Sequence, residues 1–262
     1  MSVYGLGRRS AVRPSPLFLG VLGIALLGGV LAWYEDLGSR VGRLGVFLLV
    51  LGGWVVSVCL HEFAHAYAAY RAGDRGVEAR GYLTLNPFKY AHPVLSIALP
   101  LFFIIQGGIG LPGGAVYLHR HAFRSRAAQS LAAAAGPLTN LLFALIILSI
   151  SKSHVGADHL QFWSGLTFLG FLQVTATVLN LLPIPGLDGY AIIEPYLDPQ
   201  TQQYGDKIKP WGLIGVIVLL QFQSLNNAFF RLVYNLYDVF GAPRGLSVLG
   251  YEMFKFWTKS PI

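Results

Sequence analysis

The sequence has little of two things that most soluble proteins carry, namely charged residues and cysteine. Only 12% of its 262 residues are Asp, Glu, Lys or Arg, about half the share of an average globular domain. A hydrophobic share of 54% and a positive mean hydropathy exclude a disordered chain. The single cysteine, Cys59, excludes a disulfide scaffold and a zinc module built from several thiolates. The composition predicts an α-helical polytopic membrane protein with one domain over residues 1–262.

Acidic residues are also scarce, with 12 Asp and Glu against 19 Lys and Arg, which gives a net charge of +7. In a soluble protein this excess would suggest nucleic acid as a partner. Here the basic residues lie between apolar runs, where membrane proteins place them to face anionic lipid. We therefore expect the lipid bilayer as a partner and no nucleic acid.

Long apolar runs cover residues 17–33, 44–60, 94–111, 127–150 and 160–182, with a shorter one at 211–222. Helices of about 17–25 residues cross a bilayer because every backbone amide is then satisfied internally. The last run needs part of the amphipathic segment 228–240, or a cavity, to complete a crossing. The pattern predicts about 5–6 transmembrane helices, with the C-terminal span and an amphipathic helix at about 211–240.

Basic residues cluster before the first run and after the second. They are Arg8, Arg9 and Arg13 on one side and Arg71, Arg75, Arg80 and Lys89 on the other. Cytoplasmic loops carry the excess of Lys and Arg in membrane proteins. We expect a multi-pass protein of the cell membrane with a cytoplasmic N-terminus, and with the end of the second span on the cytoplasmic side.

The run at 94–111 differs from the others, because basic residues flank it on both sides. Glycines also interrupt its second half, at Gly107, Gly108 and Gly110. Both flanks then lie on one side of the membrane. The sequence predicts a re-entrant hairpin here.

Residues 79–86 alternate, with Tyr82 and Thr84 on one face and Leu83 and Leu85 on the other. This pattern predicts a short membrane-associated β element. Its edge would pair with an unwound substrate segment, with Tyr82 and Thr84 as substrate contacts. The alternative is a short surface strand without a binding role.

The pattern HExxH, formed by His61, Glu62 and His65, follows directly on the second apolar run. On a helix, residues four apart project from one face. In this pattern the two imidazoles hold Zn²⁺ and the glutamate acts as general base. Ionisable groups attached to an apolar span are unfavourable unless they serve a site. The pattern predicts one zinc ion held in part by His61 and His65.

A catalytic zinc site needs a third protein ligand and an open position for water. Asp188 follows the span at 160–182 in a segment that Pro183, Pro185 and Gly186 prevent from continuing as a helix. Non-helical backbone at membrane depth occurs where it lines a cavity or is buried in protein. We predict Asp188 as the third ligand, the alternative being a solvated aspartate in a surface turn.

The zinc motif HEFAH at 61–65 and the run NLLPIPGLDG at 180–189 together resemble the site-2 protease family of intramembrane zinc metalloproteases. The runs GYLTLNP at 81–87 and AGPLTN at 135–140 are also similar to segments of its compact members. The resemblance covers about residues 44–190, the expected catalytic core. It implies His61, His65 and Asp188 as metal ligands, Glu62 as base, and a catalytic or substrate-contacting role for Asn140, whose alternative is a hydrogen bond between helices.

We therefore predict an intramembrane zinc metalloendopeptidase. It would cleave a peptide bond in or near the transmembrane helix of a membrane-protein substrate. Two alternatives remain open: a membrane zinc or ion transporter, and a catalytically silent membrane scaffold. Further acidic or histidine groups along a path through the membrane would indicate a transporter. Loss of Glu62 or Asp188 would indicate a silent scaffold.

Overall fold

The structure is a computed structural model that describes residues 12–90, 122–154 and 158–259. Its helices are α1 Pro16–Tyr34, α2 Arg40–Ala72, α3 Gly76–Ala79, α4 Pro87–Tyr90, α5 Arg126–Lys152, α6 Leu160–Asn180, α7 Asp188–Ile193, α8 Pro199–Ile208, α9 Gly212–Leu219, α10 Gln223–Val239 and α11 Arg244–Phe254. Short 3₁₀ turns lie at Tyr82–Thr84, Glu194–Tyr196 and Lys209–Trp211. The predicted re-entrant hairpin at 94–111 lies outside the described residues.

Four helices, α1, α2, α5 and α6, are long and apolar enough to cross a membrane. They match four of the predicted spans, and serine caps begin three of them, since the hydroxyls of Ser15, Ser39 and Ser125 accept the amides of Phe18, Gly42 and Ala128. The pair Pro199–Leu219 and Gln223–Val239 passes the same test together but bends by 99°. The described residues thus contain four candidate spans, or five if the bent pair counts as one, where the sequence predicts about 5–6.

Small residues set the packing of α1 against α2. A Cβ on Gly28 would lie 2.7 Å from the carbonyl oxygen of Gly45, and a Cβ on Gly52 would lie 2.9 Å from the Cβ of Ala25. Gly28 of α1 meets Gly45 of α2, whereas the earlier residue Ala25 meets the later residue Gly52. The two helices therefore run antiparallel. Close backbone approach through small residues is the usual way in which membrane helices associate.

Helix α6 lies at the centre of the bundle, and most of its residues are buried. It contacts α2, α5 and α11. Gln173 of α6 donates to the Ser57 hydroxyl of α2 at 3.0 Å, and the side chain of Leu169 lies against Gly53. Residue numbers rise together along this contact, so α6 runs parallel to α2. The ends of both helices therefore lie at the same end of the bundle.

The C-terminal helix α11 crosses α6 and also reaches α2. Arg43, which is buried in the first part of α2, donates to the carbonyl of Glu252 in α11 and to the carbonyls of Lys255 and Thr258 just beyond it. Neither this role of Arg43 nor a helix at 244–254 is among the predictions made from the sequence.

The predicted β element at 79–86 is wrong. Helix α3 ends at Ala79 and residues 82–84 form a 3₁₀ turn between two left-handed residues, Gly81 (φ +77°) and Leu85 (φ +53°). The Thr84 hydroxyl closes the turn by donating to the carbonyl of Gly81 at 2.7 Å. Leu83 and Leu85 are both buried, as an alternating strand would also require. The turn achieves this by placing the two side chains in clusters that contain residues of α2.

Candidate metal centre

The site begins with two histidines on one face of α2. His61 and His65 are each 6% exposed, and their Nε2 atoms lie 3.0 Å apart. A regular helix places residues four apart one above the other, so the apolar helix itself aligns the two rings. Sequence spacing predicts this arrangement, and the structure agrees.

The other nitrogen of each ring is engaged by α5. His61 Nδ1 donates to Oδ1 of Asn140 at 3.3 Å, and His65 Nδ1 donates to the carbonyl oxygen of Ala132 at 2.7 Å. A neutral imidazole that donates through Nδ1 presents a lone pair at Nε2. In the neutral form both histidines therefore present a metal-binding lone pair, and the two Nε2 atoms face each other. Partners of this kind orient the imidazole ligands of metal sites.

Asp188 completes the group from the start of α7. Its Oδ2 lies 3.2 Å from Nε2 of His61 and its Oδ1 lies 3.4 Å from Nε2 of His65. The loop before it turns at Gly186, whose φ of +100° is in the region that favours glycine. The backbone of Gly189 packs against the carbonyls of Leu181 and Leu182, at the end of α6.

These three side chains fit a zinc ion. One donor atom from each of His61, His65 and Asp188 lies within 4.8 Å of the others. Two atoms bonded to one tetrahedral zinc at about 2.0–2.1 Å lie about 3.3 Å apart, close to the separations found here. Three electron-pair donors facing one another also repel unless a cation or a proton lies between them. Across residues 12–90, 122–154 and 158–259, no other group of three such side chains has this geometry.

Gly136 of α5 closes the site on one side. A Cβ at this position would lie 2.5 Å from Nε2 of His61 and closer still to Nε2 of His65. A side chain would therefore enter the space between the ligand atoms. In the sequence Gly136 stands out only as part of the run AGPLTN, and the contact between α5 and α2 explains why this residue is glycine.

The remaining predicted residues lie at different places. Glu62 is buried on α2 beside His61, with 4% of its surface exposed. Asn140 is buried, and its side-chain oxygen contacts His61. Tyr82 and Thr84 lie in the 3₁₀ turn, where Tyr82 packs against the cluster of Phe18, Cys59 and Leu85.

The turn also contacts the segment before α1. The carbonyls of Leu83 and Thr84 accept the amides of Arg13 and Ser15 at 3.2 and 2.8 Å. A substrate strand could use these two carbonyls only by displacing the chain's own segment.

Comparison with known proteins identifies the family. The chain is 51% identical over 251 residues to the Mycolicibacterium smegmatis protein named "Putative zinc metalloprotease Rip2", covering 95% of this chain and 96% of that one. A Mycobacterium tuberculosis protein of the same name is 49% identical over 255 residues, with 96% and 97% covered. The chain belongs to the site-2 protease family of zinc metalloproteases. Zinc is its cofactor, and it is a metalloendopeptidase.

A more distant member of this zinc metalloprotease family comes from Bacillus subtilis. The protein named "Putative zinc metalloprotease YwhC" is 35% identical over 172 residues, which cover 63% of this chain and 76% of that one. No family model matches the chain, and no solved structure matches it.

Proposed function

We propose that this zinc metalloprotease cleaves a peptide bond in or near the transmembrane helix of another membrane protein. The observation that carries the proposal is the position of the three convergent donors. His61 and His65 are buried in α2, a helix apolar enough to cross a membrane, and Asp188 follows the end of α6, a second such helix. Substrate would therefore be attacked among membrane helices.

In this proposal Nε2 of His61, Nε2 of His65 and the carboxylate of Asp188 hold the zinc ion. Zinc bound in this way lowers the pKa of a coordinated water to about 7 and polarises the substrate carbonyl. The Nδ1–H groups of both histidines remain donors to Asn140 and Ala132. These hydrogen bonds keep both imidazole rings in the same orientation during the reaction.

Glu62 is the proposed general base. It takes a proton from the attacking water and delivers it to the nitrogen of the leaving amine. Glu62 directly follows His61 in the helix, so it lies next to a proposed ligand but does not share the helix face that carries both histidines. Its burial keeps bulk water away from the carboxylate.

Asn140 is proposed to hold His61 and to contact the substrate. Its Oδ1 accepts the Nδ1–H of His61. Its side-chain amide can then donate to the substrate backbone near the reacting carbonyl. Tyr82 and Thr84 stay predicted substrate contacts through their side chains.

The substrate segment must leave its helical conformation before attack. Helical carbonyls are engaged in hydrogen bonds within the helix, so the scissile peptide is accessible only after local unwinding. A single membrane-spanning helix with helix-weakening residues near one end is the proposed substrate class.

We further propose that the protein lies in the cell membrane, with its N-terminus and its site towards the cytoplasm. The start of α1, the end of α2, the start of α5 and the end of α6 lie at one end of the bundle. Arg13, Arg71, Arg75 and Arg126 flank these helix ends. Such a bias towards Lys and Arg supports a cytoplasmic position. The catalytic core is proposed to cover about residues 44–190 of one domain.

The test uses the whole protein in lipid vesicles with zinc and a labelled single-span substrate. Glu62→Gln should keep its zinc content and lose cleavage, while Glu78→Gln, at an exposed position of α3, should cleave like the wild type. In cells, comparison of membrane proteins between wild type and Glu62→Gln should reveal shortened single-span proteins only with the wild type. Full cleavage by Glu62→Gln, or zinc flux without cleavage by the wild type, would overturn the proposal.

A further inference from the structure

A buried ion pair ties the end of α7 to a distant turn. Glu194 directly follows α7 and is 3% exposed. Its Oε1 accepts a hydrogen bond from Nζ of Lys209 at 2.6 Å. Lys209 begins the 3₁₀ turn between α8 and α9 and also donates to Asp206 at 3.0 Å, but the Asp206 side chain is about half exposed. The two carboxylates therefore differ sharply in their access to water.

Lys209 also meets the chain on the other side of Asp188. A Cβ on Gly186 would lie 2.5 Å from the carbonyl oxygen of Lys209, and a Cβ on Gly212 would collide with the carbonyl of Pro185. The backbone before Asp188 thus packs against the turn at 209–212. The side chain of Glu194, after Asp188, is held by the same turn.

Helix α7 cannot position Asp188 by itself. It has six residues, and isolated helices shorter than about 12–15 residues are marginal. Its position depends on its neighbours: Ser130 of α5 donates to the carbonyl of Ile192 at 2.6 Å, and Gly189 packs on the end of α6. Among these contacts, the one between Glu194 and Lys209 involves a buried charge. Removing one member of a buried ion pair is strongly destabilising, because it leaves a buried charge less well compensated.

We propose that the Glu194–Lys209 pair is a positioning device for the metal site, which holds Asp188 at the distance from His61 and His65 that zinc requires. The inference rests on the proposed ligand role of Asp188. His61 and His65 need no such device, because they lie within the 33-residue helix α2. Zinc affinity therefore depends on a lysine that contacts neither the ion nor the substrate.

The test measures the zinc dissociation constant by chelator competition on the whole protein in nanodiscs. Glu194→Gln and Lys209→Met should each weaken zinc binding about 10–100-fold, the usual effect of removing a group that supports a ligand. Lys209→Arg, which keeps the charge, should stay near the wild-type affinity. Asp206→Asn is the matched control, since it removes the exposed partner of the same lysine, and it should also leave the affinity unchanged.

Two further measurements separate positioning from general stability. The visible spectrum of the Co²⁺ form should change in Glu194→Gln and Lys209→Met, because the ligand geometry changes. The two substitutions should change the melting temperature of the zinc-free protein only slightly. They should reduce the rise in melting temperature that zinc produces by a larger amount. A loss of stability without zinc, with the zinc-induced rise unchanged, would contradict the inference.

Asp188→Asn distinguishes this inference from the proposed ligand set. If Asp188→Asn binds zinc as tightly as the wild type, the ligand role itself fails. If Asp188→Asn loses zinc while both Glu194→Gln and Lys209→Met keep wild-type affinity, the ligand role stands and the positioning role fails.

Discussion

Gly136 of α5 lies so close to His65 of α2 that no side chain fits between them. The nearest atom to a Cβ at this position is Nε2 of His65, and Nε2 of His61 follows at 2.5 Å. The backbone of α5 therefore forms one wall of the metal centre. The same helix supplies Asn140 and the Ala132 carbonyl, which hold the two rings.

Gly136→Ala should weaken zinc binding by at least about 10-fold, because its methyl group enters the space between the ligand atoms. Chelator competition on the purified protein measures this change. Gly23→Ala in α1 is the matched control, since a Cβ there meets nothing within 4 Å. It should leave zinc affinity unchanged. Wild-type affinity in Gly136→Ala would show that the helices separate without disturbing the ligands.

Asn140→Ala should reduce zinc affinity about 10–100-fold, because His61 loses the acceptor that orients its ring. Thr139→Ala is the control, since the Thr139 hydroxyl donates only within its own helix, to Ala135 at 2.8 Å. If Asn140→Ala keeps zinc and loses only cleavage, Asn140 acts on the substrate rather than on the ligand. Comparing the loss of zinc affinity with the loss of cleavage in Asn140→Ala thus assigns the role of Asn140.

Removal of zinc should lower the melting temperature of the wild-type protein. A ligand that binds only the folded state stabilises it by about 2.7 kcal/mol at one hundred times its dissociation constant. Scanning fluorimetry with and without a chelator measures the shift. In Asp188→Asn the shift should be much smaller, whereas an equal shift would place the stabilising ion elsewhere.

Arg43→Met should destabilise the C-terminal part of the protein by about 3 kcal/mol, the scale of charge-assisted hydrogen bonds. The Arg43 guanidinium donates to the carbonyls of Thr258 at 2.8 Å and Lys255 at 2.5 Å. These carbonyls lie just beyond the end of α11 and have no partner within a helix. Limited proteolysis should therefore cut α11 sooner in Arg43→Met. Exposed Arg40→Ala should not change the rate of cleavage.

Much of the candidate site follows from sequence because its parts are local. The spacing of His61 and His65 needs only a helix, and the apolar run before them ensures one. Asp188 is predictable because Pro183, Pro185 and Gly186 prevent the helix from continuing and leave a carboxylate in the break. The β element at 79–86 is wrong for a related reason. Four alternating residues are too few to distinguish a strand from a tight turn whose two leucines both reach α2.

The sequence by itself determines the four long helices, the two imidazoles on one face and the carboxylate in a helix break, because each depends on residues that are close in the chain. Tertiary structure alone decides which helices meet at the candidate metal site. The closeness of α5 to α2 makes Gly136 and Asn140 part of the centre. The Glu194–Lys209 pair and the contacts of Arg43 also join residues far apart in the chain. No periodicity records such contacts, because they arise only when the helices pack.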